Sequence, residues 1–214
     1  MTFRDHFYSR LIALETRDTQ EFPKDIFPDQ YYHAAVLLLF WPGKNDNVEV
    51  VLTKRTNTLP THQGQVSFPG GKMQVEDTTL TDTALREAFE ELGINTHGIR
   101  IMGRLDDAWS SHGHHVIPFV GWADEKPRLV PNPSEVAKVI IGDVATLMLP
   151  ETTTSHTIRN QGRTRITHAF SWDDGYVWGM TADILLELFL WVNGESSNRG
   201  EIRLEHMKKQ LGLA

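Results

Sequence analysis

The most constraining feature of the chain is a short amphipathic segment held between glycines. Thr81–Leu92 follows the breaker Pro69-Gly70-Gly71 and stops at Gly93, a residue suited to the left-handed turn that ends helices. Leu85, Ala88, Phe89 and Leu92 recur at helical spacing and form the expected apolar stripe, with Asp82, Arg86, Glu87, Glu90 and Glu91 largely elsewhere. At about 100° per residue, Glu87 and Glu91 lie only about 40° apart around the axis, and Glu90 sits about 60° to the other side of Glu87. Carboxylates at this spacing repel by roughly a few tenths of a kcal/mol per pair. Arg86 relieves part of this through an i,i+4 pair with Glu90. A hard divalent cation would relieve the rest, because Mg²⁺ favours carboxylate and phosphate oxygens. A merely solvated acidic face is the plain alternative, and the glycine frame at fixed offsets is what separates the two readings.

Around this helix the pattern is mixed. Phe7, Leu11, Ile12 and Leu14 predict an N-terminal amphipathic helix within residues 3–17. His33–Trp41 is an almost unbroken apolar run, and Val48–Arg55 is rich in β-branched residues. Together they predict a hairpin whose first strand is buried on both faces. Ile99–Leu105, Val116–Trp122, Val136–Ile141 and Thr164–Phe170 are further strand candidates. Asp143–Leu149, Met180–Val192 and Arg199–Leu211 read as helices, the last one polar. With neither repeat nor linker, the expectation is one α+β domain over residues 1–214, an αβα sandwich.

Composition narrows the function. The 28 acids and 21 bases leave −7, which argues against broad attraction to nucleic acid or anionic membrane. The chain has no cysteine, which removes disulfides, thiolate nucleophiles and Cys-based metal sites. The charged start MTFRDHFYSRLIALETRD lacks a signal-peptide core, and the longest apolar run, Ala34–Trp41, is too short for a bilayer. A soluble cytoplasmic protein is the expectation. The acidity is also uneven: residues 76–91 carry six acids and one base, so −5 of the −7 lies there.

Gly71, Arg86, Glu87, Ala88, Glu90, Glu91, Gly93 and Ile94 match the pattern G-x5-E-x7-R-E-U-x-E-E-x-G-U, with U aliphatic, so the segment resembles a Nudix box. Asp77 stands for the early Glu, and eight residues rather than seven separate it from Arg86. The spacing and the upstream Val51-Leu52-Thr53-Lys54-Arg55-Thr56 and Gly64-Gln65-Val66-Ser67-Phe68-Pro69-Gly70-Gly71 are similar to the coenzyme A pyrophosphatase-like subgroup. Ser111-x-Gly113…Val116-x-Pro118, Asn132-Pro133-x-Glu135-Val136 and Trp178-Gly179-x-Thr181-Ala182 extend the likeness over roughly residues 35–190. Pro60 replaces the second Arg of that signature.

The resemblance implies a Nudix fold, a mixed β-sheet flanked by helices, here with added N- and C-terminal helices. It implies hydrolysis of a nucleoside diphosphate linked to another group, with Mg²⁺ or Mn²⁺. Coenzyme A or acyl-CoA is the favoured substrate, giving 3′,5′-ADP and (acyl-)4′-phosphopantetheine, with ADP-ribose, NADH or another dinucleotide as the alternative. By carry-over, Glu87 and Glu91 are the principal metal ligands, joined by Glu90 and the Gly71 carbonyl, and Arg86 orients Glu90. Glu90 or Glu135 is the general base. Arg55, Lys54, His62 and Lys72 are the substrate-binding candidates, able to stand in for the Arg lost at Pro60. The partner is a small nucleotide, with no nucleic acid and no membrane span, and the oligomeric state is open, a homodimer among the options. A non-catalytic binding module ranks below, since it would be expected to lose a helix glutamate or the arginine of the box, and none is lost.

Other features carry less. His112, His114 and His115 read as a polar loop before the Val116 strand rather than a metal cluster. Ser110 and Ser111 lack a nucleophile elbow, and Gly70-Gly71-Lys72 lacks the spacing of a P-loop. Trp109 and Trp178 are the tryptophans to follow.

Overall fold

The structure is a computed structural model that describes residues 1–23, 31–57, 63–110, 114–160, 163–172 and 175–211. In chain order the elements are α1 (Phe3–Ile12), β1 (Tyr32–Pro42), β2 (Val48–Arg55), β3 (Val66–Ser67), β4 (Gly70–Lys72), α2 (Leu80–Leu92), β5 (Ile99–Arg104), β6 (Ala108–Trp109), β7 (His114–Ala123) and β8 (Val136–Asp143). There follow α3 (Val144–Leu147), β9 (Thr153–Asn160), β10 (Arg163–Trp172), β11 (Gly175–Trp178), α4 (Met180–Val192) and α5 (Arg199–Leu211).

The apolar run in β1 has a direct structural cause. Tyr32–Phe40 pairs in parallel with His114–Trp122 of β7, at the centre of a mixed sheet ordered β3-β2-β1-β7-β5. Alternate residues of a strand point to opposite faces. Ala34, Leu38 and Phe40 join one core with Phe7, Leu11, Leu185 and Leu188. Ala35, Leu37, Leu39 and Trp41 join a second core with Ala84, Ala88 and Leu92 of α2. Both faces of the sheet are therefore covered by helices, which is the αβα arrangement expected.

Several expectations are corrected. The β1–β2 hairpin is limited to Phe40–Pro42 against Val48–Val50. Beyond it the strands part, β1 to β7 and β4, and β2 to β8. The Pro69-Gly70-Gly71 breaker carries a strand, since Gly70–Lys72 pairs with Ala34–Val36. A side chain at Gly70 would meet the Ala35 carbonyl oxygen at 2.3 Å, so only glycine lets these backbones approach. Phe89 is not part of the buried stripe. It is 60% exposed, and Ala84 takes its place beside Ala88 and Leu92. Ile12 is likewise half exposed. His114 and His115 lie in β7 rather than in a loop, and His115 is buried. His112 lies outside the described residues.

A second, antiparallel sheet β11-β10-β9 contains the predicted strand Thr164–Phe170 and two strands that were not expected. The helices α4 and α5 are tied to the main sheet by a buried ionic network. Arg203 donates to Glu187 (2.5 Å) and Asp183 (3.1 Å), and Arg17 reaches Glu187 (2.9 Å) and Asp106 (3.0 Å). Glu187 has no solvent exposure, so these partners are what keeps its charge tolerable.

Candidate active site

The helix α2 is set by its ends. The Thr79 hydroxyl accepts from the Asp82 N–H (3.1 Å) while the Asp82 carboxylate accepts from the Thr79 N–H (2.8 Å), a reciprocal capping box. Gly93, at φ +63°, donates to the Phe89 carbonyl and closes the last turn. The apolar face then lies on β1, and this rotation carries Glu87 and Glu91 inward toward β4 and β2. Both are buried.

Glu87 packs directly on the Gly71 backbone. A Cβ at residue 71 would meet its Oε1 at 2.3 Å, so the carboxylate fills the space a side chain would need. Glu91 accepts a hydrogen bond from the Thr53 hydroxyl of β2 (3.3 Å). Burial pushes Glu87 upward in pKa, and it pushes Glu91 up to about 8, with the charges of Glu87 and Glu135 adding to the effect. Arg55 and Thr53 pull Glu91 the other way without cancelling it. Two carboxylates have thus been desolvated side by side, a donor set of hard oxygens that gains from a divalent cation.

Arg86 is a hub rather than a partner of Glu90 alone. Its Nε and Nη2 donate to the two Asp77 oxygens (both 2.9 Å), and Nη2 also donates to the Lys72 carbonyl (2.9 Å). Its Nη1 donates to Glu87 (2.9 Å) and Glu90 (2.8 Å). The Arg86 guanidinium holds the Asp77 carboxyl well below the usual carboxylate range. Arg86 therefore clamps the strand carrying Gly71 to the helix carrying the glutamates.

The predicted residues separate into two groups. Glu87, Gly71 and Arg86 meet, and the charges of Glu87, Glu135 and Arg55 all act on the buried Glu91. Glu90 is drawn toward Arg86, its side chain 42% exposed. Among the described residues no three Asp, Glu or His side chains converge as a ready-made metal cage. Lys54 is exposed. The Lys72 ammonium lies 3.9 Å over the Tyr32 ring. His62 and Pro60 lie outside the described residues. Two cavities, of about 350 and 370 Å³, lie away from the carboxylates, one lined by Arg17, Glu187 and Trp191 and the other at the Lys44–Asn47 turn. Chemistry outweighs concavity here, because neither cavity holds desolvated carboxylates awaiting a partner. Trp109 is buried beside Phe22 and Met207, and Trp178 is 46% exposed.

Three contributors were missed in the sequence. Thr53 stands within the Leu52-Thr53-Lys54-Arg55 string, whose spacing was the available signal. Asp77 was recognised only as a departure from Glu, although it anchors Arg86. Asn132 connects the end of α2 to the loop bearing Glu135.

The NUDIX domain family matches residues 31–159, and the chain belongs to that family. Nudix hydrolase 22, chloroplastic, of Arabidopsis thaliana is 36% identical over 159 residues, covering 72% of this chain and 53% of that protein. The uncharacterized Nudix hydrolase NudL of Photorhabdus laumondii is 32% identical over 166 residues, covering 78% of this chain and 88% of the relative. The chain thus spans about half the length of the plant relative. Among solved structures, the NUDIX domain of Shewanella oneidensis NrtR complexed with ADP ribose aligns at TM-score 0.45 and 18% identity, over 58% of this chain and 79% of that one. No helix among the described residues is long and apolar enough to cross a membrane.

Proposed function

We propose that the protein is a metal-dependent hydrolase of a diphosphate linkage, acting on coenzyme A or acyl-CoA to give 3′,5′-ADP and (acyl-)4′-phosphopantetheine. The observation that carries the reading is the pair of buried carboxylates on one helix face, Glu87 packed on Gly71 and bonded by Arg86, and Glu91 held by the Thr53 hydroxyl. Their hard oxygens suit Mg²⁺ or Mn²⁺, with Glu87, Glu91 and the Gly71 carbonyl as holders and substrate oxygens and water completing the set. When bound, such an ion neutralises diphosphate charge, lowers the pKa of water and stabilises the leaving phosphate.

The chain's own residues do the rest. Arg86 keeps the glutamate helix and the Gly71 strand in register through Asp77 and the Lys72 carbonyl. Glu135 takes a proton from the water whose oxygen bonds to phosphorus as the anhydride P–O bond breaks and the second phosphate leaves. The Arg55 charge acts on Glu91, which supports Arg55 as the cation that meets the diphosphate oxygens. Pro60, in place of an arginine of the coenzyme A signature, is the specific observation favouring a second reading, in which ADP-ribose or NADH is the substrate. Initial rates on coenzyme A, ADP-ribose and NADH with Mg²⁺ or Mn²⁺ separate the two. Fastest turnover of coenzyme A supports the first reading, and a clear preference for ADP-ribose replaces it with the second.

A further inference from the structure

A loop outside the box helix ties the carboxylate face together. Beyond α2, the Asn132 N–H donates to the Glu91 carbonyl (2.8 Å) and the Val130 N–H to the Leu92 carbonyl (2.7 Å). These are carbonyls that a helix C-terminus otherwise leaves without partners. The Asn132 carbonyl accepts from the N–H groups of Glu135 (3.1 Å) and Val136 (2.8 Å), folding the loop into a tight turn. Its side-chain Oδ1 accepts from the Ser134 N–H (3.1 Å) and hydroxyl (2.7 Å). Those two donors decide which end of the amide is oxygen. Nδ2 is thereby turned to Glu135, donating to Oε1 at 3.4 Å. A single residue thus bonds the backbone of Glu91 and both the backbone and carboxylate of Glu135.

We infer that Asn132 is a positioning residue that sets the Glu135 carboxylate against the Glu87–Glu91 pair. The inference rests on the proposed hydrolase reading, in which Glu135 accepts the proton of the attacking water. A purely structural turn would need only Oδ1 and the backbone. Asn132→Asp separates these roles, because it keeps the Oδ1 acceptor for Ser134 and replaces the donor facing Glu135 with a repelling oxygen.

The test is a double-mutant cycle on whichever of coenzyme A, ADP-ribose and NADH the wild type hydrolyses fastest with Mg²⁺. Glu135→Gln is expected to lower kcat by at least about a hundredfold. Asn132→Asp is expected to lower kcat by about tenfold with KM held within about twofold, and the double variant to be no slower than Glu135→Gln. Should Asn132→Asp fail to fold, Asn132→Ser keeps a hydroxyl acceptor for the turn, lacks the donor, and enters the cycle with the same expectation. Wild-type kcat in the Asn132 variant, or the same fractional loss in the Glu135→Gln background, overturns the inference alone. Full kcat in Glu135→Gln rejects Glu135 as the acceptor, and the inference with it. No metal-stimulated turnover by the wild type on any of the three substrates rejects the hydrolase reading itself.

Discussion

Replacing Glu91 by Gln is expected to stabilise the metal-free protein in alkali while abolishing its response to metal. Glu91 is 5% exposed, and burial with the charges of Glu87 and Glu135 raises it to about 8 from an ordinary 4.5. A carboxyl raised on folding binds its proton more tightly in the folded state, so stability declines as pH rises between those two values. Each pH unit of that interval is worth about 1.4 kcal/mol, which makes the penalty at pH 9 at most about 5 kcal/mol. Gln keeps the shape and an acceptor for the Thr53 hydroxyl but cannot ionise. Relaxation around the site reduces the gain to an expected 2–4 kcal/mol, or about 5–15 °C in Tm for a chain of this size. At pH 5 the gap is expected to narrow to about 1 kcal/mol, or about 2–4 °C, since the folded wild-type carboxyl is then protonated and only the unfolded one has begun to lose its proton. The assay is thermal unfolding in chelator at pH 5 and 9, repeated at pH 9 with excess Mg²⁺. Metal is expected to raise the wild type by mass action and leave the variant nearly unmoved. Equal midpoints at pH 9 in chelator, or a variant deficit at both pH values, would refute the reasoning.

Gly71→Ala places a methyl where the Glu87 Oε1 lies 2.3 Å away, and a displacement of this order is expected to cost about a hundredfold in kcat/KM; activity near wild type refutes the close packing. Arg86→Lys cannot reproduce the fork that grips Asp77, the Lys72 carbonyl and two glutamates. Metal affinity, measured by Mn²⁺ titration, is expected to fall about 10–100-fold, and an unchanged dissociation constant contradicts the clamp. Arg203→Met leaves Glu187 and Asp183 short of a partner and is expected to lower stability by about 3 kcal/mol in denaturant unfolding at pH 7, whereas a loss under about 1 kcal/mol contradicts the assigned weight of that network.

The box helix was legible because local rules agreed: Gly93 set its end, and the 3.6-residue period set its type. Its orientation was only partly legible. Counting Phe89 into the stripe assumed that apolar residues turn inward and carboxylates outward, but Glu87 and Glu91 are tucked against β4 and β2, which rotates the buried line to Ala84, Ala88 and Leu92. Periodicity cannot anticipate a face that buries charge. The partners of β1 were hidden for a related reason, because an unbroken apolar run signals a central strand without saying which strand lies beside it. The strand β9 was missed because Thr153-Thr154-Ser155-His156-Thr157 has no apolar alternation. At the site, the glutamates, Arg86 and Gly71 were legible as a spacing. The grip of Arg86 on Lys72 and the turn through Asn132 depend on backbone carbonyls, which a sequence does not display.

The central claim is that the Glu87–Glu91 face hydrolyses a diphosphate linkage with a divalent ion. The measurement that tests it most directly is mass identification of products from coenzyme A, ADP-ribose and NADH, each incubated with Mg²⁺ and with chelator, for the wild type and Glu91→Gln. The expected result is 3′,5′-ADP and 4′-phosphopantetheine from coenzyme A with the wild type and Mg²⁺, with at least about a hundredfold less in the other arms. Intact substrates throughout, or equal product from Glu91→Gln, would contradict it.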